Sequence, residues 1–323
     1  MNQKMKEIHI EIIVPCYNEQ ECIKPLYEEL NRVFGGGRME SVTFSVLFVN
    51  DGSSDATLDA IRDLAREYGS HVIRYISFAR NFGKEAAIYA GLKNCRGDYA
   101  VLMDADLQHP PGLLPDMLGE IEKGHDCCGA RRVTRKGEPM FRSMFSRMFY
   151  NVINRVTSMK LVPGGSDFRI MTKQMADAAV SLTERERFTK GILSWVGFDT
   201  VWIGYENVKR TAGETKWSFF GLMRYAWSGF LSFATAPLRA EVYFGMFIVF
   251  AAFLYATWIL IGALSGNSAR TGYASMIILM LFLSGVIIMI LGIIGEYLAR
   301  IYIELKHRPI YISKESNIKA DDG

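Results

Sequence analysis

The stretch DADLQHPP, residues 104–111, packs two carboxylates, an amide and a histidine into one short turn directly after the apolar run YAVLM (99–103). Carboxylates this close repel each other unless a cation sits with them or water solvates them fully. Their hard oxygens suit Mg2+ or Mn2+, ions that keep several waters and bind diphosphate oxygens. Asp106 and Gln108 are the candidate metal ligands, with Asp104 and Ala105 placed for a ribose or sugar. The same residues also make a serviceable polar turn, with Asp106 or His109 capping the helix that Pro110 and Pro111 open. Three further polar stretches could share the work: PCYNE (15–19), NDGSSD (50–55) and ARNFGK (79–84). The PCYNE backbone and Tyr17 can frame a base and ribose, with Pro15 and Glu19 beside them, and Asp51 can accept hydrogen bonds from a base edge. Lys84 is a further candidate contact for the same ligand. Taken singly, each has a structural alternative: NDGS is a tight turn with Asp55 as a helix cap, and PCYNE is a helix start capped by Asn18.

The elements around these stretches decide between the two readings. HIEIIVP (9–15), FSVLFVN (44–50), VIRYISF (72–78) and YAVLM read as strands, DCCGA (126–130) as a short fifth, with helical stretches between them. Continuous apolar strands separated by helices predict a parallel, doubly wound α/β sheet. Ligands of such sheets bind beyond the carboxyl ends of the strands. All four polar stretches directly follow a strand, so they are expected at one edge, forming a nucleotide-sugar site.

The rest of the chain has a different character. After residue 130 it is basic and mixed, through RRVTRKGEPMFRSMFSR (131–147), GGSDFRIM (164–171) and ERERFTKGILSWVGF (184–198). From Trp217 to Leu238 aromatics, Leu and Met recur at helical spacing around a narrower polar face, which predicts a helix lying in a membrane interface. Val242–Leu264 and Tyr273–Ile294 then carry no charge; at about 23 and 22 residues each is long enough to span a hydrocarbon core. Only SGNSARTG (265–272) separates them, which predicts a transmembrane hairpin. Lys209, Arg210, Lys216, Arg224 and Arg239 precede the first run and Arg300, Lys306 and Arg308 follow the second, so both long ends are expected in the cytoplasm. The expected organisation is a catalytic domain over 1–216, an interfacial segment over 217–241, the hairpin over 242–294 and a cytoplasmic tail over 295–323. On this division a chain ending before Val242 should keep donor and metal binding, since those loops lie in the first domain.

Lys and Arg number 37 against 34 Asp and Glu, a net charge of +3, too small to indicate a nucleic-acid partner. Cys16, Cys22, Cys95, Cys127 and Cys128 show no C-x-x-C spacing and read as reduced structural thiols.

PCYNE, NDGSSD, RNFGKEAA, DADLQHPP, GSDFRIM, RTAGETKW (210–217) and the paired C-terminal runs together resemble the polyprenyl-phosphate glycosyltransferases of glycosyltransferase family 2. This group contains the dolichol-phosphate mannosyltransferases and the bactoprenol glucosyltransferases. The resemblance implies a GT-A fold and a membrane enzyme, with a homo-oligomer plausible by analogy. It also implies inverting transfer of one sugar from a nucleotide sugar to a polyprenyl phosphate, with Mg2+ or Mn2+ as cofactor. Residue by residue, it implies Asp51 at the base, Asp106 and Gln108 at the metal, and Asp104 and Asp167 at the reaction centre. It places Arg131, Arg142, Ser146 and Arg210 near the acceptor phosphate. Asp167 is expected to position the acceptor, the sugar or an arginine rather than to remove a proton. No Q-x-x-R-W run, a mark of processive synthases in the superfamily, occurs. UDP-glucose is the first donor to consider; UDP-N-acetylhexosamine, GDP-mannose and a UDP-aminopentose remain alternatives. The rival readings are transfer to another acceptor such as diacylglycerol, and an inactive membrane-anchored binding protein.

Overall fold

The computed structural model describes residues 8–133, 154, 162–205, 236–264 and 272–318. Four strands, β1 (Ile8–Cys16), β2 (Val42–Asn50), β3 (Ile73–Phe78) and β4 (Tyr99–Leu102), pair in parallel in the order β4-β1-β2-β3. Helices α1 (Gln20–Phe34), α2 (Thr57–Tyr68) and α3 (Lys84–Lys93) connect them. Their apolar runs are continuous because both faces are covered. On one face Ile10, Ile12, Val14 and Phe48 pack against Leu26, Leu30 and Ile61 of α1 and α2. On the other, Leu47, Val49, Ile76 and Phe78 meet the small face of α3, Ala86, Ala87 and Ala90. The approach of α3 is tight: a Cβ on Gly91 would lie 2.1 Å from the Ile13 side chain.

Beyond β4 the sheet departs from the expected pattern. After α4 (Leu114–Glu122) comes β5 (Cys127–Arg132), but its neighbour is β6 (Gly165–Thr172), inserted antiparallel between β4 and β5. GSDFRIM is therefore a strand, its apolar half fully buried and its first three residues half-buried, a pattern without the period-2 alternation that marks a strand in sequence. Helices α5 (Lys173–Ser181) and α6 (Thr189–Trp195) lead to β7 (Thr200–Tyr205), parallel to β5.

The chain divides into two compact units: residues 1–229 with 309–323, and residues 230–308. The second holds two long apolar helices, α7 (Ala236–Leu264) and α8 (Tyr273–Leu305). Among the described residues one segment, Phe282–Leu305, is long and apolar enough to cross a membrane, and the described apolar stretch of α7, Tyr243–Tyr255, is shorter. Large apolar side chains such as Phe247, Phe250, Trp258, Ile288 and Leu291 are exposed along both. The Trp217–Leu238 segment lies outside the described residues except for its end, which already belongs to α7.

Two features of the chain go beyond its expected organisation. The second apolar run does not end its helix at Ile294; α8 continues through Glu296 and Arg300, which pair one turn apart at 3.4 Å, to Leu305. The C-terminal segment joins the sheet. Strand β8 (Ser313–Ser316) adds antiparallel to β3 and completes an eight-stranded sheet of order β7-β5-β6-β4-β1-β2-β3-β8. A chain ending before Val242 loses that strand and bares the edge of β3.

A buried ion pair ties the lower part of the sheet. Glu11 of β1 is fully buried and its carboxylate takes Arg74 of β3, the Arg96 N–H and the Ser45 hydroxyl. Removing one partner leaves a buried charge uncompensated, at a cost of about 3–5 kcal/mol. Glu11→Ala is accordingly expected to lower the thermal unfolding midpoint of the full-length protein sharply, and a melting curve like the native one would deny the pair that role.

Candidate active site

Antiparallel pairing of β4 with β6 sets Leu102 opposite Arg169. Extending that register by two residues beyond the end of β4 brings Asp104 opposite Asp167. The insertion of β6 is thus what places a second acidic residue beside the DADLQHPP turn. Both side chains are half-buried, and the cation between them is Lys84, at the start of α3. Its ammonium pairs with Asp104 and donates to Asp167 Oδ2 at 2.8 Å. Lys190, on α6, approaches Asp167 Oδ1 at 3.5 Å and donates to the Gly165 carbonyl at 3.1 Å. The repulsion that the clustered carboxylates pose is therefore met first by lysines of the protein itself.

The electrostatics of this group are lopsided. Burial alone would raise the Asp167 pKa, but Lys190 and Lys84, with Arg169, outweigh it and hold the carboxyl well below the usual range. Burial likewise acts to lower the Lys84 pKa and is overcome by Asp167 and Asp104, which raise it. His109 goes the other way: burial depresses its pKa against the pull of Asp104. Its ring shares a 2.7 Å hydrogen bond with the Tyr205 hydroxyl and stacks on Phe168, so it supports the turn from beneath.

The turn itself is not a helix cap. The 3-10 turn Pro111–Leu113 begins after Pro110 with no side-chain cap. Asp106 Oδ1 instead accepts the Gln108 N–H at 3.1 Å, with Leu107 between them at φ 54°. Asp106 and Gln108 are both half-buried. Among the described residues no three His, Cys, Asp or Glu side chains cluster as a complete metal site. The Asp106 carboxylate and the Gln108 amide supply hard oxygens of the kind Mg2+ or Mn2+ takes, and these two residues would hold such an ion.

The PCYNE and NDGSSD loops are laced together. The Ser54 N–H donates to Asn18 Oδ1 at 2.9 Å, the Asn18 N–H to Ser53 Oγ at 3.0 Å, and the Glu19 N–H to Thr57 Oγ1 at 2.9 Å. Pro15 lies half-buried at the end of β1, and Tyr17 is 41% exposed. Gly52 has φ 65°, and a Cβ there would lie 2.4 Å from the Arg80 backbone, so the second and third loops touch main chain to main chain. Asp51 is 3% exposed, and its two oxygens accept the Phe82 N–H at 2.6 Å and the Gly83 N–H at 2.9 Å. Burial raises its pKa, opposed by those two donors and Arg80. Its visible work is to clamp the loop that carries Lys84.

Ala105 is buried beneath the turn, and Arg131 is exposed at the end of β5, paired in register with Gly165. Arg142, Ser146 and Arg210 lie outside the described residues. Lys190 was not singled out from the sequence; only the tertiary structure brings it to Asp167.

Residues 11–180 match the family model described as glycosyl transferase family 2. The chain belongs to that family. CsbB of Bacillus subtilis (strain 168), named as a glycosyltransferase, is 42% identical over 318 residues, covering 98% of this chain and 95% of that protein. A bactoprenol glucosyl transferase of Shigella phage SfV is 37% identical, covering 96% and 99%. Among solved structures, mannosyl-3-phosphoglycerate synthase from Rubrobacter xylanophilus aligns with TM-score 0.51 at 17% identity over 74% of this chain and 75% of that one, a likeness of fold. A GT-A-like, mostly parallel α/β sheet is therefore common to the family 2 transferase and this neighbour.

Replacing Lys84 by Met leaves Asp104 facing Asp167 with one ammonium fewer. Turnover is expected to fall at least about a hundredfold, the scale of losing one preorganised electrostatic group. The acid limb of the pH–rate profile should also move to higher pH, because Asp167 loses part of what depresses its pKa. In the native protein the ion pairs of Asp167 contribute fully above about pH 4, the ordinary carboxyl value. That contribution is lost as pH falls through the depressed native value. Unchanged turnover with an unmoved acid limb would take Lys84 out of the centre.

Proposed function

We propose that the protein transfers one sugar from a nucleotide-diphosphate sugar, with UDP-glucose the leading donor, to a polyprenyl phosphate such as undecaprenyl phosphate, inverting the anomeric centre. The observation that carries this reading is the pairing of Asp167 with Lys84 and Lys190. A hydroxyl acceptor needs a general base whose pKa lies near the operating pH. The carboxyl at this centre is held far below that by Lys84 and Lys190, so it is a poor base and a good anchor. A phosphate monoester supplies its own charged oxygen, its second pKa being about 6. An acceptor of the diacylglycerol kind fits this site less well.

The residues divide the work accordingly. Tyr17 and the laced PCYNE and NDGSSD loops frame the nucleoside, and Asp104 takes the sugar or ribose. Lys84 and Lys190 keep Asp167 ionised and oriented. Arg131, together with Arg142, Ser146 and Arg210, offsets the repulsion between two anionic substrates. A divalent cation, Mg2+ or Mn2+, held by Asp106 and Gln108 would stabilise charge developing on the leaving diphosphate. The relatives named as bactoprenol glucosyl transferases, similar along nearly their whole length, support both the lipid phosphate and glucose.

A chain topology argument supports two crossings with both long ends on one side of the membrane, and the Lys and Arg residues flanking the apolar runs favour the cytoplasm as that side. Residues on both sides of α7 and α8 belong to one compact unit. A chain that leaves that unit and returns to it crosses a membrane an even number of times. With α8 long enough to span, α7 is the partner that brings the count to two. A lipid-phosphate acceptor keeps its headgroup at the surface such a hairpin defines.

Three outcomes check this reading. Asp106→Ala should abolish metal-dependent transfer, by at least about a hundredfold, without altering the melting curve; near-native turnover at saturating metal would reduce the D-x-D to a turn. A cysteine placed within 265–272 should react with an impermeant reagent from outside intact cells while one at Lys314 stays protected, and the reverse labelling refutes a cytoplasmic site. Mass spectrometry of the glycolipid made in membranes from a mixture of UDP-glucose, UDP-N-acetylhexosamine, GDP-mannose and UDP-aminopentose should show a single hexose on the polyprenyl phosphate. No product from any donor would mean a binding protein without activity.

A further inference from the structure

Residues 309–318 lie along the open edge of β3, and three residues, Lys306, His307 and Arg308, separate them from the end of α8. The segment is firmly held. Glu315 accepts from Arg62 Nε at 3.0 Å, from Arg62 Nη2 and from the Tyr75 hydroxyl at 2.7 Å. Asn317 takes the Tyr75 N–H at 2.7 Å and donates to the Ile73 carbonyl at 2.9 Å, and Arg185 donates to the Pro309 carbonyl at 3.2 Å.

Its other end reaches the donor loop. The N–H of Ala79, first residue of the ARNFGK loop, donates to the Ile312 carbonyl at 3.0 Å. The Tyr311 ring stacks on Phe78 with centroids 4.8 Å apart and planes 21° apart, and Phe82 meets Phe78 edge-on at 5.8 Å. Ile310, Tyr311 and Ile318 pack with Phe82 onto the cluster formed by β2, β3 and the alanines of α3. Alanines cannot fill that space, so the bulk comes from this segment and from Phe82. Phe82 and Gly83 are the residues whose N–H groups Asp51 binds, and Lys84 follows them.

We propose that residues 309–318 are a strap that sets the ARNFGK loop, with Tyr311 the positioning residue, so that affinity for the nucleotide sugar depends on the segment following α8. The proposal rests on the reading of that loop as part of the donor site. It also reverses the expectation that a chain ending before Val242 binds donor normally, because such a chain lacks the strap.

The test uses the full-length protein in detergent, with UDP and Mg2+ as the calorimetric probe and hydrogen exchange at the Phe82 and Gly83 amides as a ligand-free readout. Tyr311→Ala should weaken UDP binding about tenfold or more and speed exchange at both amides, and Tyr311→Phe, which keeps the ring, should restore both. Glu315→Gln, which loosens the far end of the strap, should shift both readouts the same way by a smaller factor. Folded Tyr311→Ala with native affinity and native exchange overturns the proposal. If that variant fails to fold, native values in Glu315→Gln overturn it. Absence of binding of UDP or GDP by the unaltered protein would defeat the donor-site reading instead, and the exchange comparison would still decide the strap.

Discussion

The contact on which the site depends is the bridge from Lys84 to Asp104 and Asp167. It joins the third loop, the turn after β4 and the start of β6, three segments with no local reason to meet. Two carboxylates brought face to face by strand register would push β4 and β6 apart at their site end, and a single ammonium between them turns that repulsion into cohesion. The strong depression of the Asp167 pKa is the electrostatic signature of this arrangement.

That signature also narrows the chemistry. A site built to deprotonate an alcohol keeps a carboxylate or imidazole near neutral pKa. Here the carboxylate is made acidic by two lysines, and the nearby imidazole, His109, has its pKa lowered by burial and is spent on Tyr205. The protein invests in fixed charge and orientation rather than in proton transfer. Such an investment is consistent with an acceptor that arrives already ionised.

The opposite edge of the sheet solves a different problem. An open β3 would present unpaired backbone groups, a hazard that proteins cover or charge. Strand β8 covers it, and it comes from beyond the apolar helices. One compact unit is thereby built from both ends of the chain, and the two apolar helices lie between them in the sequence.

Much of this was legible in the sequence. Apolar strands between helices announced the parallel sheet, and the rule that ligands sit beyond strand ends brought the four loops together, because periodicity and burial act locally. The two apolar runs were equally plain, since hydropathy needs no partner to be read. What the tertiary structure decided was everything set by pairing between distant segments. GSDFRIM became β6 through its register with β4, which placed Asp167 opposite Asp104. Lys190 reached the centre by helix packing, and Asp51 proved to clamp a loop. The residues after 308, short and of mixed composition, read as a tail because an edge strand gains its stability from the neighbour it pairs with rather than from its own composition. Local pattern determined the elements and the loops, and long-range register and charge pairing determined which side chains face each other.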